Sequence, residues 1–145
     1  MPDFNNNNPT SAQFAKPRMP SAQLYGVSIS KWGMDETVSY LQQHIESGEY
    51  RRPHQVVTIN PIMIMAGLEN EQFMSVLRSA ELVIPDGIGV VIASRFVRDP
   101  IPQRVAGIDL MQKLLRLGSR RRYRVYFLGS TEDVVEEVVR QVNRR

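Results

Sequence analysis

Three short segments carry polar or glycine residues at points where strands are predicted to end. Thr58 and Asn60 lie in the first, residues 85–89 (PDGIG) form the second, and residues 128–130 (LGS) form the third. In open α/β sheets, ligands bind outside the carboxyl ends of the strands. The sequence therefore predicts that ligand-binding and catalytic residues lie in these three segments.

Asp86 is the first candidate for a catalytic group. It follows a hydrophobic run and Pro85, and it precedes Gly87, where a helix is predicted to begin. A carboxylate in this position can reach a ligand and act as a general base. Asp is also a favoured N-cap, because its side chain accepts hydrogen bonds from first-turn N–H groups. Spacing alone leaves both interpretations open.

Two pairs of residues in these segments are candidates for binding phosphate. Gly87 and Gly89 follow a strand as in a dinucleotide fingerprint, but Ile92 occupies the third glycine position, so this signal is weak. Gly129 and Ser130 form a better anion cradle, since glycine permits close backbone approach and a helix N-terminus offers free N–H groups. Most strand–Gly–helix turns bind no ligand, and that alternative stays open.

Arg104 follows a proline-containing loop and is predicted to lie near the strand ends. Its guanidinium can grip a diphosphate or a carboxylate through paired hydrogen bonds. The alternative is an ordinary surface ion pair with Asp99 or Asp109.

Several classes of site are excluded or disfavoured by what the sequence lacks. It has no cysteine and two histidines, which argues against thiolate and histidine-rich metal sites. It contains no Asp-x-Asp triplet, no Walker A loop and no G-x-S-x-G elbow. We therefore expect no metal and no cofactor, and a bound diphosphate would have to be neutralised by arginines and helix N-termini.

The elements that position these residues alternate between strand and helix. Helical periodicity separates four predicted strands, at residues 23–30, 55–59, 82–84 and 123–128. This order predicts parallel pairing with right-handed crossovers, and hence an α/β, Rossmann-like sheet with flanking helices.

Local signals mark several helix ends. Asp35 is a plausible N-cap, and Asn60-Pro61 reads as an N-cap followed by the first helical residue. Gly118 lies where a helix is expected to end, and Ser130 with Asp133 resembles a capping box.

The domain boundaries follow from composition. Residues 1–21 are rich in Asn, Pro and Ser and are predicted to be a disordered tail, while residues 22–145 are predicted to be one α/β domain. Four strands make a thin sheet, and we expect the C-terminus to be truncated. An incomplete sheet exposes an edge, so a homo-oligomer is one expected outcome.

The net charge is +3, and fifteen of the eighteen basic residues are arginine. Five arginines fall within nine residues, and this cluster suits phosphates, nucleic acid or an anionic lipid surface, or else a solvated loop: Arg116, Arg120, Arg121, Arg122 and Arg124. The longest uncharged apolar run, residues 56–68, falls short of the ~20 residues that span a bilayer. A cytoplasmic location is predicted.

Four motifs occur in order and together resemble one known family. They are TINP (58–61), VIPDGIGVV (83–91), RVAGIDL (104–110) and VYFLGS (125–130). The sequence is identified by them as similar to the WecG/TagA/CpsF glycosyltransferases, glycosyltransferase family 26, from about Tyr25 to the end. The P-D-G-x-G element followed by R-x-x-G-x-D is the specific part of this likeness.

The resemblance implies an inverting, metal-independent transfer of an N-acetylmannosamine-type sugar. The implied donor is a UDP-sugar, and the acceptor is GlcNAc linked to undecaprenyl diphosphate. The product would enter teichoic acid or another surface polysaccharide. The implied location is peripheral, at the inner face of the cell membrane, with membrane contact through a C-terminal segment that this chain lacks. No nucleic-acid partner is implied.

The resemblance also assigns roles to individual residues. Asp86 becomes the general base, and Arg104 and Thr58 the other catalytic residues. The remaining positions are implied to bind substrate: Asn60, Gly87, Gly89, Asp109, Gly129 and Ser130.

Two other interpretations stay open at this stage. Because family members are longer, the chain could be a non-catalytic nucleotide-binding fragment. A dinucleotide-dependent oxidoreductase is the remaining alternative, and it rests on the weak Gly87-x-Gly89 pattern.

Overall fold

The fold is known from a computed structural model that describes residues 19–48 and 53–144. The described residues form four strands and six helices, which confirms the α/β class. In chain order these are β1 (Ser21–Leu24), β2 (Val27–Ser30), α1 (Met34–Glu46), β3 (Val56–Ile59), α2 (Pro61–Glu69), α3 (Glu71–Ser79), β4 (Leu82–Pro85), α4 (Ile88–Phe96), α5 (Gly107–Arg121) and α6 (Glu132–Asn143). Among these helices, none is long and apolar enough to cross a bilayer.

The parallel pair β3–β4 lies at the centre of the fold. Its register runs from Val56 opposite Leu82 to Ile59 opposite Pro85. Every residue of β4 is buried, as expected for a strand covered on both faces. The predicted parallel pairing of these two strands is confirmed.

The first predicted strand is a hairpin instead. Residues 23–30 were expected to form one interrupted strand, but β1 and β2 pair antiparallel around Tyr25 and Gly26. Both turn residues have positive φ, 52° and 78°, as a two-residue type I′ turn requires. The hairpin buries Leu24, Val27 and Ile29 in the core, and β2 lies beside β4.

Asparagine caps fix the starts of α2 and α3. The Asn60 side chain accepts a hydrogen bond from the Met63 N–H at 2.9 Å, and Pro61 is the first helical residue, so the predicted N-cap is confirmed. Asn70 caps α3 in the same way through the Phe73 N–H.

Helix α1 begins two residues earlier than its predicted N-cap implies. Its N-cap is Gly33 rather than Asp35, and the Thr37 hydroxyl donates to the Gly33 carbonyl at 2.7 Å. Asp35 lies in the first turn, where it pairs with Lys113 of α5 at 2.7 Å. The prediction of Asp35 as N-cap was wrong because that side chain reaches a neighbouring helix.

Helix α5 continues through the glycine that was expected to end it. Gly118 is buried inside α5, and the helix ends at Arg121, followed by the C-cap Arg122, whose φ of 58° is left-handed. A Cβ at Gly118 would lie 3.5 Å from the Tyr123 ring, so this position packs against the chain that follows the helix.

The fourth predicted strand is not formed. Residues 123–128 have no strand pairing, and Tyr126 and Leu128 are 86% and 90% exposed. A strand-like sequence needs a neighbour to supply ladder hydrogen bonds, and none of the described strands lies alongside it.

Helix α6 buries none of its residues. Between α5 and α6 lies an apolar groove of about 480 Å³ that includes Leu115, Phe127 and Val138.

The predicted capping box of Ser130 with Asp133 is not formed. Thr131, not Ser130, is the N-cap of α6, and its hydroxyl donates to the Asp133 carboxylate. That hydrogen bond holds the pKa of Asp133 below its ordinary value. Ser130 has a φ of 62° and precedes the cap.

The predicted N-terminal tail, residues 1–21, falls mostly outside the described residues. Of its members, Ser21 lies in β1. The boundaries 1–21 and 22–145 remain predictions.

Candidate functional site

The carboxyl ends of β3 and β4 bring three chain segments together. The Asp86 N–H donates to the Ile59 carbonyl at 2.8 Å, which carries the β3–β4 pairing one residue beyond β4. On the other side, the Val105 N–H donates to the Pro85 carbonyl at 2.8 Å. The segment containing Arg104 is thereby fixed beside Asp86, as the strand-end argument predicted.

The Asp86 carboxylate is held at both of its oxygens. Oδ2 accepts the backbone N–H of Gly107 at 3.0 Å, and Oδ1 lies 3.3 Å from both Nε and a terminal nitrogen of Arg104. The Asp86 side chain is 27% exposed, whereas that of Arg104 is 50% exposed. The carboxylate is therefore oriented by its neighbours and still open to solvent.

Asp86 does not cap the helix that follows it. The N-cap of α4 is Gly87, whose φ of 153° is one that glycine adopts readily and other residues avoid. Asp86 instead satisfies the first N–H of α5, which begins 21 residues later in the chain. The interpretation that Asp86 caps α4 was therefore wrong, because its carboxylate caps the start of α5.

Arg104 pairs with neither of the partners expected for a surface arginine. Asp99 forms an ion pair with Lys31, and Asp109 lies exposed in the first turn of α5. The partner of Arg104 is Asp86. A candidate base and a cation therefore lie in direct contact.

Thr58 and Gly107 form the floor beside Asp86. A Cβ on Gly107 would lie 2.7 Å from Thr58 Cγ2 and 3.2 Å from Asp86 Oδ2. The α5 backbone reaches the carboxylate only because Gly107 lacks a side chain. Thr58 is half-buried on β3, opposite Ile84.

Two glycines let the turns after β3 and β4 pack closely. A Cβ on Gly89 would lie 2.8 Å from Pro61 Cγ, and one on Gly87 would lie 3.4 Å from Pro61 Cδ and 3.7 Å from Asn60 Cβ. Close approach to Pro61 thus accounts for Gly89 without a bound dinucleotide. The same close packing places Asn60 directly beside Gly87.

Three helices begin at this cleft, and each presents its N-terminus there. Asn60, Gly87 and Ala106 are the N-caps of α2, α4 and α5. Helix N-termini carry partial positive charge and favour anions. Together with Arg104 they place positive charge around the Asp86 carboxylate, which suits an anionic substrate.

The remaining predicted site residues are not held in this cleft by any described hydrogen bond or ion pair. Gly129 and Ser130 are exposed, and no atom lies within 4 Å of a Cβ placed on Gly129. Within residues 19–48 and 53–144, no three His, Asp or Glu side chains come together as metal ligands.

Gly107 is the functional residue that sequence reasoning missed. It was noted only as part of a motif, yet its N–H fixes the Asp86 carboxylate. The available signal was its place at the start of a strongly periodic helix, directly after the Arg104 loop. At that position an N–H lacks an intrahelical partner and needs an outside acceptor.

Comparisons with known proteins point to one family. The model of the Glycosyl transferase WecG/TagA/CpsF family matches residues 22–145. A relative from Bacillus spizizenii is 37% identical over 89 residues, covering 61% of this chain and 35% of that protein. One from Bacillus subtilis strain 168 is 26% identical over 125 residues, covering 86% and 48%. One from Staphylococcus aureus is 32% identical over 81 residues, covering 56% and 32%.

All three relatives carry the name N-acetylglucosaminyldiphosphoundecaprenol N-acetyl-beta-D-mannosaminyltransferase. The matched region spans between about a third and a half of the length of these curated relatives.

Proposed function

The chain belongs to the WecG/TagA/CpsF glycosyltransferase family, and on that premise we propose that residues 22–145 form the α/β domain of an N-acetylmannosaminyltransferase. The donor is a UDP-sugar of the N-acetylmannosamine type. The acceptor is GlcNAc linked to undecaprenyl diphosphate, and the product feeds teichoic acid or another surface polysaccharide. The names of the relatives support the acceptor and the transferred sugar of this reaction.

The observation that carries the proposal is the orientation of Asp86. Its carboxylate stands at the carboxyl end of β4, fixed by Gly107 and Arg104, at the rim where α/β sheets bind ligands. As general base, Asp86 takes the proton of the acceptor hydroxyl. The hydroxyl oxygen then bonds to the anomeric carbon as the bond to the diphosphate breaks, and UDP leaves. Attack opposite the leaving group inverts the anomeric configuration.

Arg104 has a second role in this scheme. In the structure its guanidinium lies on Asp86, where it would compete with the acceptor hydroxyl for Oδ1. The diphosphate of the donor offers Arg104 a stronger, bidentate partner. Donor binding therefore draws Arg104 away and frees Asp86, so the donor binds before the acceptor.

Fixed positive charges support a metal-independent reaction. Arg104 and the N-termini of α2, α4 and α5 border the cleft, and charge-assisted hydrogen bonds contribute about 1.5–3 kcal/mol each. Thr58 and Asn60 complete the substrate cleft beside Gly87 and Gly89. Asp109 is proposed to bind substrate, and Gly129 and Ser130 are proposed to lie near the nucleotide.

The decisive experiment is Asp86→Asn, assayed for sugar transfer to a lipid-linked acceptor. Loss of the base should lower the rate by about 10²–10⁴-fold, while UDP binding persists. Asp35→Asn is the matched control, because it removes a carboxylate from another ion pair of α5. Equal rates for Asp86→Asn and Asp35→Asn would show that Asp86 is structural.

A binding cycle tests the role of Arg104. Asp86→Asn should tighten UDP binding several-fold by freeing Arg104, and this gain should vanish when Arg104→Ala is also present. If the gain persists without Arg104, it reflects simple charge repulsion, and the donor-first scheme is wrong.

A second candidate function is a nucleotide-binding fragment without turnover. The specific observation in its favour is coverage, since the chain spans 48% or less of the length of these relatives. This candidate predicts UDP binding with no release of UDP from a UDP-sugar and acceptor. For either candidate we propose a cytoplasmic protein at the inner face of the membrane, with self-association as a further proposal.

A further inference from the structure

Helix α4 has one face in the core and one apolar face in solvent. Val90, Val91 and Ser94 are buried. Ile88, Ile92 and Phe96 recur every fourth residue and are 64%, 47% and 83% exposed. Val97, directly after the helix, is also exposed. Residues four apart share one side of a helix, so Ile88, Ile92 and Phe96 form a continuous stripe.

This exposure is built into the fold and does not reflect a loosely attached helix. The Ser94 hydroxyl donates to the Val91 carbonyl at 2.7 Å and accepts the Ile101 N–H at 2.9 Å. An ion pair between Lys31 and Asp99 fixes the loop after α4 to the segment after β2. Rotating α4 to hide Phe96 would break these contacts.

Two cations flank the exposed end of the stripe. Arg95 and Arg98 are both exposed, and within the described ranges neither has an ion-pair partner. Helix α4 contains no Asp or Glu, and Asp99 is engaged with Lys31. Apolar side chains bordered by arginines complement a bilayer surface that carries anionic lipids.

The stripe leads from the candidate site. Ile88 follows Gly87 at the cleft, and a rise of 1.5 Å per residue places Phe96 about 12 Å further along the axis. Ile62 and Ile108, near the starts of α2 and α5, are also exposed beside the cleft. Helix α4 therefore begins at the Asp86 cleft, and its exposed apolar stripe runs away from that cleft.

We propose that the α4 face, defined as Ile88, Ile92 and Phe96 with Arg95 and Arg98, docks on an anionic lipid surface. Docking holds the Asp86 cleft close to the headgroups, where a lipid-linked acceptor would present its sugar. The docking itself needs no sugar transfer, and only its link to the acceptor rests on the proposed function.

Vesicle co-sedimentation of the chain tests the docking. The unchanged chain should bind vesicles of phosphatidylcholine with phosphatidylglycerol and should bind pure phosphatidylcholine much less. Arg95→Gln with Arg98→Gln should weaken binding about tenfold or more, and Phe96→Ser should weaken it on both vesicle types.

Matched controls come from the other end of the chain. Leu128→Ser removes an equally exposed apolar side chain, and Arg120→Gln with Arg122→Gln removes two arginines of the α5 cluster. These variants should bind as the unchanged chain does. An equal loss in them would assign lipid binding to the 116–124 cluster and overturn the proposal.

Two further outcomes would also overturn it. The first is absence of vesicle binding by the unchanged chain. The second is a concentration-dependent dimer that Phe96→Ser abolishes in sedimentation velocity, because a second copy would then cover the α4 face. Failure of the docking leaves UDP binding and the Asp86→Asn effect intact, whereas failure of the proposed function leaves vesicle binding intact.

Discussion

Two turns of this chain share a sequence pattern but differ in structure. Pro85-Asp86-Gly87 and Leu128-Gly129-Ser130 both follow an apolar run and precede an amphipathic helix. In the first, four buried residues of β4 pair with β3, and the turn contacts the start of α5. In the second, the apolar run is unpaired and the turn is exposed.

The difference shows what local sequence cannot supply. A strand and its turn become a rigid site when neighbouring segments provide hydrogen bonds on both sides, as Ile59 and Val105 do around β4. The 123–128 segment has the composition of a strand, but no described strand lies next to it.

The largest expected effect is on global stability. Ile84→Ala removes a fully buried side chain from β4 and should cost about 2–5 kcal/mol of unfolding free energy. Leu128→Ala, at an exposed position, should stay within about 0.5 kcal/mol. Urea unfolding measures both. A cost above about 2 kcal/mol for Leu128→Ala would mean that the 123–128 segment is packed in solution.

Gly107→Ala should cost about 1–3 kcal/mol, because the new methyl would overlap Thr58 Cγ2. Thr58→Ser removes that methyl and should recover part of the loss. Gly118→Ala is the control in the same helix, since its Cβ meets only ordinary contacts, and it should be neutral or stabilising. Equal destabilisation by both alanines would refute the close contact at the site.

Asp86→Ala should destabilise the protein by about 1 kcal/mol, because the Gly107 N–H loses its acceptor. Asp86→Asn keeps an oxygen acceptor and should cost less. Ser130→Ala, in the exposed turn, should have almost no effect. If Asn proves as costly as Ala, charge rather than the hydrogen bond holds the start of α5.

The smallest effect concerns the residues that tie the start of the 123–128 segment to α1. The Tyr123 hydroxyl donates to Glu46 and, despite an opposing effect of burial, holds the pKa of Glu46 below its ordinary 4.5; Gln42 and Arg121 lower it further. Because the pKa of Glu46 is lower in the folded state, the interactions of its carboxylate stabilise the fold fully above pH 4.5. This stabilisation is lost as pH falls through the folded pKa.

Tyr123→Phe should raise the pKa of Glu46 toward its ordinary value. Side-chain carboxyl NMR titration measures this directly, and the stability difference from the unchanged chain should fade in acid. An unchanged Glu46 pKa would show that the hydroxyl contact is not formed in solution.

The features of the site that were predicted correctly from the sequence are those set by the course of the backbone. The position of Arg104 after the proline-containing loop correctly predicted that it lies near the strand ends, and the Asn60-Pro61 signal correctly gave the start of α2. Both follow from short-range chemistry and one topological rule.

The remaining features depend on contacts that are distant in sequence. Asp86 was given the wrong helix because its partner, Gly107, lies 21 residues further along the chain. Gly118 was expected to end α5, but it fits against Tyr123 inside the helix. Gly26 was taken for an interruption of a single strand, because a tight turn and a weak point in a strand look alike without the pairing partner.

The bonds from Val105 to Pro85 and from Gly107 to Asp86 have a consequence for motion. The chain leaves the sheet after Asp86 and returns to the same point about twenty residues later. Helix α4 and its loop therefore form a closed loop whose two ends are hydrogen-bonded to each other at the end of β4. Loop closure over this length has a modest entropy cost. Because Val90, Val91 and Ile101 within this stretch are buried in the core, we expect residues 87–106 to open only together, when those contacts are lost. Amide exchange would slow across all of α4 together whenever its outer face is covered.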